Sequence, residues 1–268
     1  MLETEQKRYP IENKQINESS GLACSTRNKK LLWTHNDSGH MPIIYALSSK
    51  GNDRGTFYLD DVVANDWEDM DAFEYQGEHY LLIADTGDNY RLRWDYQIVI
   101  IKEPVINNKK HKNNKKKSQS ALSPAWSFVF KYEDNKSYDV ESVAVDIVRE
   151  KILLLSKRTA HSWLFELPLN PADNGTIPIA LKVAEIKEIS KPSALDISED
   201  GKLMSINTYA RIHRYRREGA DNTWHYDSSL KYKKLFQPEA MCLRKDEKVY
   251  FVSSERKPRL LKVNIPDK

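Results

Sequence analysis

The chain has 268 residues, of which 30% are charged and 10% aromatic, the composition of a folded protein rather than a disordered one. No run approaches the roughly 18 apolar residues of a membrane-spanning helix. The net charge of +3 is uneven: residues 102–117, KEPVINNKKHKNNKKK, hold seven Lys and one Glu, so the rest of the chain is mildly acidic.

In chain order, the first residues, MLETEQKRYP, lack a signal-peptide core, which leaves either an intracellular chain or one whose leader has been removed. KRYPIENKQI (7–16) is a first strand. A repeated pattern then begins: a short polar start, an apolar strand, a tight turn and a second apolar strand ending in polar residues. Its copies are SSGLACSTRNKKLLWTHNDSG (19–39), WEDMDAFEYQGEHYLLIADTGDN (67–89), VESVAVDIVREKILLLSKRT (140–159), PSALDISEDGKLMSINTYA (192–210) and PEAMCLRKDEKVYFVSSER (238–256). Gln76-Gly77 and Asp200-Gly201 mark hairpin turns at equivalent places. Two further strand-like segments follow each of the first four copies, but only RLLKVNI follows the fifth.

This arithmetic predicts an all-β, five-bladed β-propeller spanning residues 1–268 as one domain. The N-terminal strand supplies the missing strand of the last blade and closes the ring. A six-bladed propeller is the alternative, although no residues remain to build a sixth blade. Residues 106–120 form a Lys-rich flexible insertion between the outer strands of the second blade. Solvation explains that charge better than nucleic-acid binding does. Cys24 and Cys242 are too few for a disulfide framework, lack metal-ligand spacing, and read as small core residues.

In a propeller the start of each inner strand and the end of the next strand share one mouth of the channel. Registering the copies on Leu22, Met70, Val143, Leu195 and Met241 puts Ser20, Glu68, Glu141, Ser193 and Glu239 around that mouth. Glu68, Asp85, Glu141 and Glu239 are the candidate metal ligands. His35, Asp37, Asp88, Lys157, Arg158, Asn207, Tyr209 and Glu255 are candidate ligand-binding residues on the same rim. A ring of carboxylate and hydroxyl oxygens suits a hard cation such as Ca²⁺, and with His35 the one candidate imidazole a zinc or copper site is disfavoured. Lys157, Arg158 and Arg256 would hold an anionic ligand against the metal.

Plainer readings stand beside these. The acids could pair with Lys and Arg as a structural plug, and Trp67 reads as blade packing rather than a substrate platform. His35, Asp37 and Ser38 are too close in sequence for a serine-hydrolase triad. DTGDN (85–89) lacks the spacing and closing Glu of an EF-hand loop, and no P-loop, GxSxG or HExxH occurs.

The ordered set SSGLACS, LLWTHNDSG, NDWEDMDAF, YLLIADTGDN, VESVAVD and EAMCL resembles a family of bacterial, often exported, hypothetical proteins expected to be β-propellers. More distantly, it is similar to SdiA-regulated and phytase-like propellers. The resemblance implies the propeller fold and a periplasmic or extracellular location, and it implies no activity. Three functions remain open. One is a module that binds a divalent cation, with calcium foremost, and a small polar or anionic ligand. The second is a metal-dependent hydrolase of phosphate or carboxylic esters at the same mouth. The third is a protein-interaction scaffold.

Overall fold

The computed structural model describes residues 5–106, 120–159, 161–172, 174–218, 223–233, 235–244, 248–256 and 258–266. The Lys-rich insertion expected at 106–120 lies outside the described residues, except for its ends, Ile106 and Ser120.

All regular structure among the described residues is strand. β1 (Gln6–Pro10) precedes a first meander of β2 (Ser19–Cys24), β3 (Leu31–Asn36), β4 (Ile43–Ser48) and β5 (Asp53–Leu59). The second unit comprises β6 (Trp67–Tyr75), β7 (Glu78–Asp85) and β8 (Tyr96–Lys102), then the short β9 (Ser120–Leu122), then β10 (Trp126–Tyr132). A third follows in β11 (Val140–Asp146), β12 (Lys151–Ser156), β13 (Ser162–Pro168) and β14 (Ile179–Ile186). The fourth is β15 (Ala194–Ile197), β16 (Leu203–Asn207), β17 (Arg211–Arg216) and β18 (His225–Lys231). Finally β19 (Pro238–Arg244), β20 (Val249–Ser254) and β21 (Arg259–Asn264) are completed by β1, which pairs antiparallel with β21.

The innermost strands β2, β6, β11, β15 and β19 touch in that order, and β19 returns to β2, so the units close into a ring. The chain is thus an all-β propeller whose N-terminal strand joins the last unit. Two stitches at the circumference do not follow from the sequence repeat. β9 adds parallel to β5, tying the second unit's connection onto the first. β10 pairs parallel with β14 and merges the second and third units into one eight-stranded sheet.

Side chains alternate across a strand, so a strand deep in such a ring must be apolar on both faces. β8 shows this directly. Ile98 and Ile100 enter the apolar layer between the second and third units, while Val99 and Ile101 enter the layer between the first and second. Trp67 lies buried in that second layer, with its ring edge-on to His35 at 5.4 Å. It is a packing residue.

The cysteine expectation is corrected. Cys24 and Cys242 are joined in a disulfide, with Cα atoms 5.5 Å apart across 218 residues of sequence. Ring closure brings the end of β2 beside β19, a proximity that neither local spacing nor cysteine count reveals.

Candidate functional site at the acidic mouth

Inner-strand entries are where the site is made. The antiparallel register between inner and second strands shifts between Ser19 and Leu22, between Trp67 and Asp69, between Val140 and Val143, and between Pro238 and Ala240. These bulges leave Ser20, Glu68, Glu141 and Glu239 out of the ladder, and a bulge re-aims the side chain it carries. Ser193 occupies the same register position just before β15. All five residues are buried, and the carboxylates of Glu68 and Glu141 converge.

Cations already hold half of this ring. Lys157 contacts Glu141 and lies 3.4 Å from Glu239. Burial alone would lower the pKa of its ammonium, but the two carboxylates outweigh burial and carry it upward, so Lys157 stays charged. Glu239 also accepts the Tyr209 hydroxyl at 3.0 Å. Arg158 pairs with Asp139 and reaches Glu141 at 3.3 Å. Asp85 pairs with Arg93 at 2.8 Å and accepts the backbone N–H groups of Asn65 and Asp66. Asp88 accepts the N–H groups of Leu92 and Arg93 and the hydroxyl of Tyr96. Asn207 donates to Ser193 Oγ and Pro238 O and accepts from Tyr232. Glu255 accepts from Gln237 at 2.7 Å. Each of these groups has its charge or hydrogen bonds met from within the protein.

The other half differs. Oxygens of Asp37, Asp66 and Glu68 lie within 4.8 Å of one another, and so do oxygens of Glu68, Asp139 and Glu141. Glu68 is only 6% exposed, yet no hydrogen bond or ion pair reaches its carboxylate among the described residues. Burial, then the charges of Glu141 and Asp37, raises its pKa well above the usual carboxylate range. Burial and then Asp37 raise Asp66 to about 6. Gly87 forms the wall: a Cβ there would sit 2.1 Å from Glu68 Oε1 and 2.4 Å from Asp66 Oδ2, so no other residue fits without displacing both acids. An all-oxygen set of three carboxylates, two of them half-exposed, fits a hard divalent cation that keeps water on its open side. His35 stands apart. It is fully buried, its Nδ1 faces Asn36 O at 2.9 Å, and its Nε2 has no hydrogen bond among the described residues. Burial lowers its pKa.

Below the mouth the axis is closed by acids of a different kind. Asp69 accepts N–H groups from Met70, Val143 and Leu195, and so reaches strands β6, β11 and β15 together. Asp71 serves Ala72 and Val145, and Asp196 serves Leu243. These carboxyls satisfy the unpaired inner edges of the sheets, which have no further strand to pair with.

Sequence reasoning missed Asp66 and Asp139 as members of the cluster. The repeat itself carries the signal: Asp66-Trp67-Glu68 and Asp139-Val140-Glu141 place an Asp two residues before two of the three bulged glutamates, and Gln237 stands in that place before Glu239.

No family model and no curated protein matches the chain. Among solved structures it is similar to a chain of the nidogen/laminin complex, with 13% identity and a TM-score of 0.51 over 91% of this chain and 74% of that one. A functionally unknown protein from Desulfotomaculum acetoxidans aligns with 13% identity and a TM-score of 0.46 over 88% of this chain and 65% of that one. A protein of Bacteroides fragilis named as a candidate 6-phosphogluconolactonase aligns with 14% identity and a TM-score of 0.44 over 91% and 66%. At these identities the likeness is one of fold alone, and the buried acidic cluster that could hold a metal ion is an observation on this chain.

Proposed function

We propose that this protein binds a divalent cation, calcium foremost, at Asp37, Asp66 and Glu68, and receives a small polar or anionic ligand on the Arg158 side of the same mouth. The observation carrying this reading is the Glu68 carboxylate, buried without a donor and grouped with two further carboxylates. An isolated buried carboxylate is costly unless it is protonated or meets a cation. Glu141 and Glu239, already paired through Lys157, frame the site rather than ligate. The motif resemblance to exported bacterial propellers belongs to the same reading, and the Cys24–Cys242 disulfide agrees with an oxidising compartment. The cycle of five inner strands favours five blades over six.

Calcium titration by calorimetry of chelator-treated protein tests the proposal. Binding at one site is expected, lost in Asp66→Asn and Glu68→Gln. No heat and no thermal shift with Ca²⁺, Mg²⁺ or Mn²⁺ would reject it. Hydrolysis is the second reading, favoured by the half-exposed Arg158 guanidinium beside the acids. A bound cation would supply polarisation of a phosphoryl or acyl oxygen. Turnover of model phosphate and carboxylic esters, calcium-dependent and absent in Glu68→Gln, separates enzyme from binder.

A further inference from the structure

The connection between β7 and β8, residues 86–95, reverses the usual arrangement of a surface loop. Its centre reads Tyr90-Arg91-Leu92-Arg93-Trp94. The arginines are spent on the protein: Arg91 donates to Arg158 O, while Arg93 pairs with Asp85, donates to Gly87 O and lies over the Tyr96 ring at 5.0 Å. The apolar side chains face water instead, with Tyr90 85%, Leu92 74% and Trp94 84% exposed.

Nor is the loop slack. Asp88 caps it from within through Leu92 N and Arg93 N, the Asp88 N–H donates to Asp139 Oδ1 at 3.0 Å, and Ser137 donates to Arg93 O. The loop therefore holds its aromatic residues out against hydration, and it is anchored on Asp85, Asp139 and Arg158, the residues that border the acidic cluster. Rigid, amphipathic aromatic rings offer contact area at little entropic cost.

We infer that this loop and the acidic mouth form one binding site for a saccharide that carries a carboxylate. Trp94 and Tyr90 stack on the apolar face of a sugar ring. The cation at Asp37, Asp66 and Glu68, together with the Arg158 guanidinium, takes the sugar's carboxylate and hydroxyl oxygens. The inference rests on the cation reading above, carried by the donor-free Glu68 carboxylate, and adds to it the exposed aromatic side chains of the neighbouring loop. An anionic bilayer is the wrong occupant, because the carboxylates around the mouth outnumber its basic groups among the described residues. The sugar has what a lipid surface lacks: a flat C–H face the size of one indole, bordered by ligating oxygens.

The test uses the full chain on an array of neutral, uronic and sialic oligosaccharides in millimolar calcium. Captured sugars are then titrated by tryptophan fluorescence. Capture of acid-bearing sugars, released by chelator, is expected. Trp94→Ala should weaken it about tenfold while leaving the calcium-induced thermal shift intact, and Trp94→Phe should restore most of it. A normal calcium shift with no capture, or capture of neutral sugars alone, overturns the inference and leaves cation binding standing. Capture indifferent to Trp94→Ala overturns it as well. Sugar binding that survives chelator and Asp66→Asn overturns the cation's part in this inference, while the calcium titration alone decides the cation site.

Discussion

At the scale of single residues, the mouth depends on what is missing from Gly87. Its absent Cβ is the space in which the Glu68 and Asp66 oxygens sit. Gly87→Ala is expected to keep the fold but abolish calcium stabilisation. In the wild type that stabilisation should amount to a melting shift of roughly 5–10 °C at calcium one hundred times the Kd, read by differential scanning fluorimetry. The buried acids also set a pH dependence. Burial raises Asp66 and Asp71 from the ordinary 3.8 to about 6. Between those values the folded chain binds more protons than the unfolded one, so stability must fall as pH rises through this window. Urea titrations across the range should show that fall in calcium-free protein. Calcium should cancel the Asp66 part above pH 6, whereas the Asp71 part should persist and disappear in Asp71→Asn. The repeat made Glu68, Glu141 and Glu239 legible because they share one register with five apolar residues. Asp66 and Asp139 precede their strands, where apolar periodicity has nothing to say. Pairing of the acids with Lys and Arg was open from the sequence, but that Lys157 takes both Glu141 and Glu239 was not legible, because it depends on bulges and on contacts across the axis.

At the scale of elements, the strands were legible because alternation and turn residues repeat with the chain. β9 was not, since three residues leave no periodic trace and its partner β5 lies in another unit. The disulfide likewise belongs to the meeting of β2 with β19. Closing 218 residues of chain, it should contribute about 2–5 kcal/mol. Urea unfolding of Cys24→Ala/Cys242→Ala, against the oxidised wild type, should show that loss with near-native circular dichroism. Asp69→Ala is the complementary case on β6. It strands the N–H groups of Val143 and Leu195, each left unmet at a cost of about 1–3 kcal/mol.

At the scale of the molecule, each apolar layer is shared by two neighbouring units, and no unit can cover both of its faces alone. Unfolding should therefore be a single transition, with fluorescence and circular dichroism coincident. Removing residues 1–10 deletes β1 and bares the β21 edge. The truncated chain is expected to lose that coincidence and to associate through the edge on size-exclusion chromatography.

The two circumferential stitches divide the wheel unevenly. Through β9 and the β10–β14 pairing, the first three units form one continuous belt. The Cys24–Cys242 disulfide ties the fifth unit to the first at the ends of β2 and β19 away from the mouth, and at the mouth the fourth and fifth meet their neighbours mainly by side-chain contacts. Asp37, Asp66, Glu68, Asp139 and Glu141 all ride on the belted arc, whereas Glu239 rides on the loose one. If the hub widens or narrows, the oxygen cage keeps its dimensions and the Lys157–Glu239 link takes up the strain. Breathing of the ring would then be felt as a change in who neutralises Lys157, not as a change in the cage.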